Sequence, residues 1–278
     1  MTRFLLAFAL LLPSSALAAT GDALLRDLQL AADAVQADRS AEARQAEEQK
    51  LEAGNELFPL SVQDEREVRH GVEADPNVQV VIDGLMITMR DVPRDAWFAP
   101  YVVESVRMGI LSGYREGAGT PLGLFGPADP VTIEQLAKIA ALLAGIDEKS
   151  CASPVLNASA KGRWSERFVA CAERAEWAVY SDGTVQATRP ATRSEVVVTL
   201  LQAFGISSLK KDQPTFSDVP PSIQFSAFIE RAAADGVVGG YTTENGVPTG
   251  LFGPFDRVDR AAMAKIIVNA DLVYGNER

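Results

Sequence analysis

Histidine is nearly absent from this chain of 278 residues, in which His70 is the only one. Serine and cysteine hydrolases need an imidazole beside the nucleophile, and nothing in the sequence suggests such a pairing for His70. A zinc cluster cannot be built from one histidine and two distant cysteines either. We therefore predict that His70 is exposed, and we predict no metal site, no cofactor and no imidazole-based catalysis.

Basic residues are in the minority. The chain has 26 Lys and Arg against 37 Asp and Glu, which gives a formal net charge of −11 and an isoelectric point near 4.7. Nucleic-acid binding needs a basic surface that neutralises phosphates, so the composition argues against a nucleic-acid partner. It leaves room for an anionic polymer that is bound by a few local arginines.

Long apolar runs are missing after the first twenty residues. Those residues contain Arg3, an apolar core and the small-x-small tripeptide at residues 16–18, a pattern that predicts a secretory signal peptide over residues 1–18. The apolar core is too short to span a bilayer. We expect a secreted, extracytoplasmic protein whose mature chain has no transmembrane segment.

Cysteine is also scarce, since only Cys151 and Cys171 are present. Disulfides persist outside the cytoplasm, and a bridge between these two residues would stabilise the fold by about 3 kcal/mol in the chain-entropy model. We predict that the two cysteines are bridged. The alternative is a pair of separately buried thiols.

What the sequence does contain is a long internal repeat. The segment 91–143 returns without a gap from Asp218 onwards, and the pentapeptide Gly-Leu-Phe-Gly-Pro occurs at residues 123–127 and again at 250–254. Self-similarity of this length predicts a repeat architecture.

Each copy of the repeat predicts a helix, a loop and a second helix. Apolar residues at helical spacing mark the two helices of the first copy: Phe98, Val102, Val106 and Ile110, then Leu136, Ile139, Ala140 and Leu143. A degenerate copy lies between the two clear ones. Its loop is shorter, it has Glu176 where the first copy has Gly109, and its second helix begins after Thr192.

The region before the repeats has two predicted elements. Residues 19–58 have an apolar stripe that thins into alanine and charge, which predicts an amphipathic helix. This helix is either a solvated spacer or a short coiled coil through which the chain binds itself or a partner protein. Residues 59–90 are predicted to form a linker and a β-hairpin with Asp83-Gly84 at its turn.

The motifs within the repeats resemble the S-layer homology family. They are an Asp-Val turn at residue 91 and again at 218, a Gly-Tyr pair at 113 and 240, the loop ending in Phe-Gly-Pro, and Thr-Arg-Ser-Glu at 192–195. The resemblance implies a mainly α fold of three helix-loop-helix repeats in a pseudo-threefold bundle. Their expected boundaries are 91–150, 151–211 (degenerate) and 212–278.

The same resemblance implies a function. Domains of this family hold proteins on the bacterial cell envelope by binding cell-wall polysaccharide, in many cases pyruvylated, in grooves between repeats. In some envelopes the ligand is a peptidoglycan-linked glycan. We therefore expect a noncatalytic anchoring module.

Helix capping explains part of the Thr-Arg-x-Glu motif. Thr192 and Glu195 have the spacing of a capping box, and Thr132 with Gln135 repeats this spacing in the first copy. In the third copy, Asp259 is expected to cap alone. These five residues are predicted to be structural.

The arginine of the motif is not explained by capping, because a cation in the first helical turn opposes the helix dipole. Arg193 and Arg260 share this position, and Ile133 replaces the arginine in the first copy. A guanidinium can bind a carboxylate of a pyruvyl ketal or a uronic acid through two hydrogen bonds. We predict that both arginines contact the glycan; the alternative is an internal salt bridge.

Other repeated residues are candidate glycan contacts, each with a structural alternative. The indoles of Trp97 and Trp164 suit stacking on a sugar or a buried packing role, and the tyrosines suit hydrogen bonding or the core. The glycines suit close backbone approach or a turn, and the aspartates suit turn formation first. The remaining candidates are Tyr114, Tyr241, Gly113, Gly240, Asp91 and Asp218.

Two further hypotheses compete with the anchoring module. One is a self-assembling structural protein of the S-layer or envelope, which acts through protein–protein contacts while its glycan grooves are vestigial. The other is an enzyme such as a glycosidase with paired carboxylates. Because the repeats occupy nearly the whole chain after Val78, no catalytic domain remains, and we predict that the protein is not an enzyme.

Overall fold

A computed structural model describes residues 75–117, 119–151 and 154–275 of the chain. The predicted signal peptide, the predicted helix over residues 19–58, His70 and the predicted linker up to residue 74 lie outside these ranges.

The predicted β-hairpin is confirmed. Strand β1 (Asn77–Ile82) pairs antiparallel with strand β2 (Leu85–Pro93), and Ile82 lies opposite Leu85 across the turn. Asp83 and Gly84 have φ angles of 53° and 79°, as a two-residue turn with positive φ at both positions requires. The prediction of a turn at residues 91–93 is wrong, because these residues continue strand β2. Pro93 pairs with Asn77, beyond an irregularity in the register.

The remaining regular elements of the described chain are helices, apart from isolated β-bridges, which confirms the mainly α prediction. Six α-helices follow the hairpin, together with two short 3₁₀ helices at Glu148–Cys151 and Ala158–Ala160. We number the α-helices in chain order: α1 (Ala99–Arg107), α2 (Ile133–Leu143), α3 (Glu166–Arg174), α4 (Arg193–Ala203), α5 (Ser226–Ala234) and α6 (Arg260–Tyr274). We call α1 with α2 the first pair, α3 with α4 the second pair, and α5 with α6 the third pair.

The second helix of each pair begins with a side-chain cap. The Thr132 hydroxyl accepts a hydrogen bond from the Gln135 backbone N–H, and the Gln135 side chain accepts one from the Thr132 N–H. Thr192 and Glu195 form the same reciprocal arrangement at α4. At α6 the Asp259 carboxylate accepts from the Ala262 N–H alone. These bonds satisfy N–H groups that have no partner within the helix.

The segments that precede α2, α4 and α6 bind one another in a closed ring. Val131 N–H donates to Val258 C=O, Val258 N–H to Ala191 C=O, and Ala191 N–H to Val131 C=O, at 2.8, 3.3 and 2.8 Å. The second helix of each pair packs on the first helix of another: α2 on α3, α4 on α5 and α6 on α1. Each pair therefore contacts both others.

The first N–H of each second helix extends this pattern. It donates to a carbonyl in the segment between the helices of the following pair: Ile133 to Arg189, Arg193 to Asp256, and Arg260 to Asp129, at 3.0, 2.8 and 3.0 Å. The side chain at this first helical position consequently points towards the inter-helix loop of another pair.

The second pair is braced by a disulfide. Cys151, in a 3₁₀ helix, is bonded to Cys171 of α3. The neighbouring Asn157 is fully buried, and its side chain donates to the Tyr180 carbonyl at 3.1 Å. Among the described residues, no helix combines the length and apolar character needed to cross a bilayer.

Candidate functional site

Arg260 begins α6 and reaches into the loop of the first pair. Only 7% of the residue is exposed. Its Nε donates to the Phe125 carbonyl at 2.7 Å and its Nη2 to the Ser112 carbonyl at 2.6 Å. The guanidinium carbon lies 4.6 Å from the Phe125 ring centroid and 5.2 Å from that of Tyr114.

Arg193 begins α4 and makes the equivalent approach to the loop of the third pair. Its Nη2 donates to the Gly239 carbonyl at 2.9 Å. Its guanidinium carbon lies 4.7 Å from the Phe252 ring centroid and 5.4 Å from that of Tyr241. The Nε atom is buried and has no hydrogen-bond partner among the described residues.

Both arginines keep a largely uncompensated charge. Within the described ranges, neither forms an ion pair with a carboxylate, so the predicted alternative of an internal salt bridge is not found there. Burial lowers the pKa of Arg193 and of Arg260, an effect that Asp256 and Asp129 partly oppose. Arginine nevertheless remains protonated in proteins. A buried cation without a carboxylate partner favours an incoming anion.

A tyrosine lies over each guanidinium. The Tyr114 hydroxyl donates to the Asp129 carboxylate at 2.6 Å, and the Tyr241 hydroxyl donates to that of Asp256 at 2.9 Å. Burial first, and then the neighbouring carboxylate, raise the pKa of both tyrosines. Both hydroxyls therefore stay protonated at neutral pH.

The two predicted tryptophans are exposed rather than buried. Trp97 is 59% exposed and Trp164 is 55% exposed, which excludes a buried packing role for either indole. Lys265 Nζ lies 5.9 Å from the Trp97 ring, and Lys138 Nζ lies 6.0 Å from the Trp164 ring. These distances are at the limit for a cation–π contact.

These residues line two clefts. The Arg260 cleft has a volume of about 160 Å³, and its wall includes Ser112, Tyr114, Gln135, Lys138, Trp164 and Arg260. The Arg193 cleft has a volume of about 400 Å³, and its wall includes Trp97, Arg193, Gly239, Tyr241, Ala262 and Lys265. Sequence reasoning missed the two lysines, although they share one register position in the first and third copies.

Every helix pair contributes to each cleft. In the Arg260 cleft, the tyrosine and lysine come from the first pair, Trp164 precedes the first helix of the second pair, and Arg260 belongs to the third. In the Arg193 cleft, the tyrosine and lysine come from the third pair, Trp97 precedes α1, and Arg193 belongs to the second. Both clefts therefore depend on the ring that holds the pairs together.

A comparison with known families matches one part of this arrangement. The sequence model of the S-layer homology domain matches residues 215–264, a stretch that contains α5, the Tyr241 loop and the start of α6. The chain thus carries an S-layer homology domain at these residues. No curated protein matches the chain. S-layer homology domains are noncatalytic modules of the bacterial cell surface, and they typically bind cell-wall polymers.

The glycines of the two Gly-Tyr pairs allow close backbone approach. A β-carbon on Gly113 would lie 2.7 Å from the Leu124 carbonyl oxygen, and one on Gly240 would lie 2.7 Å from that of Leu251. Neither glycine has a positive φ, so neither is needed for a left-handed turn. Both border their clefts.

The two predicted aspartates hold the loops beneath the arginines. Asp91 accepts hydrogen bonds from the backbone N–H groups of Phe125 and Gly126 at 2.8 and 2.7 Å. Asp218 accepts equivalent bonds, at the same distances, from residues 252 and 253. Their partners lie 34 and 35 residues away in the chain, so the expected role within their own turns is corrected. Neither aspartate is among the residues that line the two clefts.

The third equivalent position is closed. Ile133, where the other second helices have arginine, is completely buried, and so is Tyr180 of the second pair. The Tyr180 hydroxyl donates to the Ile133 carbonyl at 2.9 Å. A phenol ring and an aliphatic side chain thus occupy the position that elsewhere holds a guanidinium.

Proposed function

We propose that this protein is a noncatalytic anchoring module that binds cell-wall polysaccharide through the Arg193 and Arg260 clefts. The observation that supports the proposal is the repeated cation. A guanidinium with no carboxylate partner among the described residues, buried at Arg260 and half-buried at Arg193, lies beneath a tyrosine. An exposed indole and an ammonium group border the same opening, and this arrangement occurs twice in the chain.

The proposal includes the domain organisation. Three S-layer homology repeats, at residues 91–150, 151–211 and 212–278, surround a pseudo-threefold axis. The ring formed by Val131, Ala191 and Val258 supports this arrangement. So does the position after each first helix, where Gly109, Glu176 and Gly236 have φ angles of 72°, 55° and 75°. A non-glycine residue is rarely left-handed, so Glu176 retains the backbone of a lost glycine.

The chemistry of the clefts defines the ligand class. A guanidinium and an ammonium group form a local cationic site in a chain whose formal net charge is −11. A carboxylate can accept two parallel hydrogen bonds from arginine, and an aromatic face can pack on the apolar face of a sugar ring. A polysaccharide that carries pyruvyl ketals or uronic acids has both features. A peptidoglycan-linked glycan with the same groups is the second form of this ligand.

The closed third position limits the number of sites. With Ile133 in place of arginine and Tyr180 buried against it, the repeats provide two clefts for the glycan. Two sites on one body favour binding to a polymer, because the second contact is made at high effective concentration.

The proposed location agrees with the covalent structure. We propose that residues 1–18 direct secretion and that the mature chain acts at the cell envelope. The bond between Cys151 and Cys171 suits a compartment in which disulfides persist.

Cosedimentation with isolated cell-wall sacculi tests this function. The mature chain is expected to pellet with intact sacculi and to remain in solution with sacculi stripped of their attached polysaccharide. The matched variants are W97A/W164A and K138A/K265A, since both indoles are exposed and the lysines lie at the cleft rims. Both are expected to stay folded and to lose binding. Failure of the wild-type chain to pellet with any wall fraction would contradict the proposal.

Self-assembly is the competing function. The closed third position, together with exposed apolar side chains such as Phe255 (69%) and Leu272 (71%), favours protein–protein contacts. Sedimentation velocity of the mature chain and of a chain beginning at Val78 distinguishes the two functions. Oligomers without glycan binding would support assembly, whereas a monomer in both cases would exclude it.

A further inference from the structure

The Arg193 and Arg260 clefts share their chemistry but differ in capacity. The tyrosine, lysine, arginine and tryptophan are the same in both, yet the volumes are about 400 and 160 Å³. Small-molecule sites usually have volumes of about 300–1,000 Å³. The Arg193 cleft lies within this range and the Arg260 cleft lies below it.

Side chains at equivalent positions account for the difference. Gln135 borders the Arg260 cleft, and Ala262 takes its place in the Arg193 cleft. Ser112 is likewise replaced by Gly239. Both replacements remove side-chain atoms from the wall of the Arg193 cleft.

Helix capping keeps Gln135 in its position. Its side-chain oxygen accepts the Thr132 N–H at 3.1 Å as part of the capping box, so the amide is tied to the helix end and is not free to swing away. In the third pair, Asp259 caps α6 by accepting from the Ala262 backbone N–H at 2.7 Å, which requires no side chain at residue 262. The two caps therefore differ in whether they place a long side chain at the cleft wall.

The polar groups of the wider cleft also differ from those of the narrower one. Arg193 Nε lacks a partner among the described residues, whereas Arg260 Nε is bound to the Phe125 carbonyl. Asn269 adds an amide to the wall of the Arg193 cleft. The Asn269 amide suits a hydroxyl group of an additional sugar unit.

We propose that the third residue of the second helix sets the length of glycan that each cleft accepts. Ala262 allows the Arg193 cleft to bind an acidic terminal sugar together with the next unit of the chain. Gln135 restricts the Arg260 cleft to the terminal sugar alone. This inference rests on the proposed glycan-binding function.

Tryptophan fluorescence separates the two clefts in the full mature chain. Of the three tryptophans, Trp97 and Trp164 border different clefts, and Trp177 is only 4% exposed. W164F therefore leaves Trp97 as the reporter of the Arg193 cleft, and W97F leaves Trp164 as the reporter of the Arg260 cleft. The two probes are a monosaccharide glycoside with a pyruvyl ketal and a trisaccharide that ends in the same unit.

The critical variant is A262Q in the W164F background, with A262S as the matched control of small size. The trisaccharide is expected to bind the Arg193 cleft about tenfold more tightly than the monosaccharide. A262Q is expected to abolish this gain, and A262S to retain it. Circular dichroism checks that each variant is folded. Q135A in the W97F background is expected to create the gain at the Arg260 cleft.

The outcomes separate this inference from the function on which it rests. If the parent chains bind both probes and A262Q leaves the trisaccharide gain intact, the role of residue 262 is wrong while glycan binding stands. If Q135A binds the trisaccharide no better than the monosaccharide, the role of Gln135 is wrong. If no chain binds either probe, the glycan-binding function itself fails.

Discussion

The hydroxyl of Tyr180 donates a hydrogen bond to the carbonyl of Ile133, and both residues are completely buried. This contact occupies the position at which the other two second helices present an arginine to a cleft. Of the three equivalent positions, two therefore form clefts and the third is closed.

Substitutions of Tyr180 test whether this contact is structural. Y180F removes the donor and leaves the Ile133 carbonyl without it, so the free energy of unfolding should fall by about 1 kcal/mol. Y180A also leaves a cavity and should lower it by about 3–5 kcal/mol. Urea titration measures both. Calorimetry of Y180F should still show two glycan sites, and a change in that number would contradict a purely structural role.

The two arginines should differ in their effect on stability. Arg260 is 7% exposed and donates to two backbone carbonyls, whereas Arg193 is half-buried and donates to one. Hydrogen bonds from charged groups contribute about 1.5–3 kcal/mol each, so R260Q should destabilise the fold more than R193Q. Denaturant unfolding of the two variants gives the comparison. Equal losses would show that the extra hydrogen bond contributes little.

Glu134 should make stability depend on acidic pH. Hydrogen bonds from Arg163 and Ser165 lower the pKa of this carboxyl, although burial opposes them. A folded-state pKa below the unfolded value, about 4.3, means that the stabilisation is complete above that value and is lost as the pH falls through the folded pKa. E134Q should therefore be less stable than wild type at pH 7, and the two should converge towards pH 3.

Thermal unfolding between pH 3 and 7 measures this convergence. The matched control is E104Q, because Glu104 pairs with Arg107 on the surface through a bond between neighbouring turns of α1. An exposed pair contributes little, so E104Q should follow the wild-type curve. A constant gap between E134Q and wild type across this range would contradict the assignment.

The disulfide should stabilise the second pair without entering either cleft. Replacing Cys151 and Cys171 by alanine should lower the free energy of unfolding by about 3 kcal/mol, the chain-entropy value for a loop of this size. Neither cysteine borders the Arg193 or Arg260 cleft. Glycan affinity measured below the unfolding transition should therefore be unchanged. A loss of affinity in the folded variant would indicate coupling between the disulfide and the clefts.

Local sequence signals predicted the elements well. The dipeptide Asp83-Gly84 predicted the hairpin turn because few residues adopt positive φ. Apolar residues at spacings of three and four predicted the helices. The Thr-x-x-Glu spacing at Thr192 follows directly from the geometry of a first helical turn. The recurrence of residues 91–143 also led to the family, because motifs that recur in one register do not depend on how the chain packs.

The roles of the candidate residues depended on contacts that no local pattern contains. The carboxylates of Asp91 and Asp218 accept hydrogen bonds from N–H groups that lie more than thirty residues away in the chain. Lys138 joined the site only because Trp164, from another pair, lies across the cleft from it.

The sequence by itself determined the repeat, its helices, its caps and the arginine positions, since each depends on neighbours within a few residues. Only the tertiary structure decided that Arg193 and Arg260 face clefts, that Tyr180 closes the third position, and that the two clefts differ in size. Each of these features is built by three helix pairs that meet through the ring of Val131, Ala191 and Val258. This arrangement depends on packing between segments that are far apart in the chain. The order of the residues does not show which of these segments pack together.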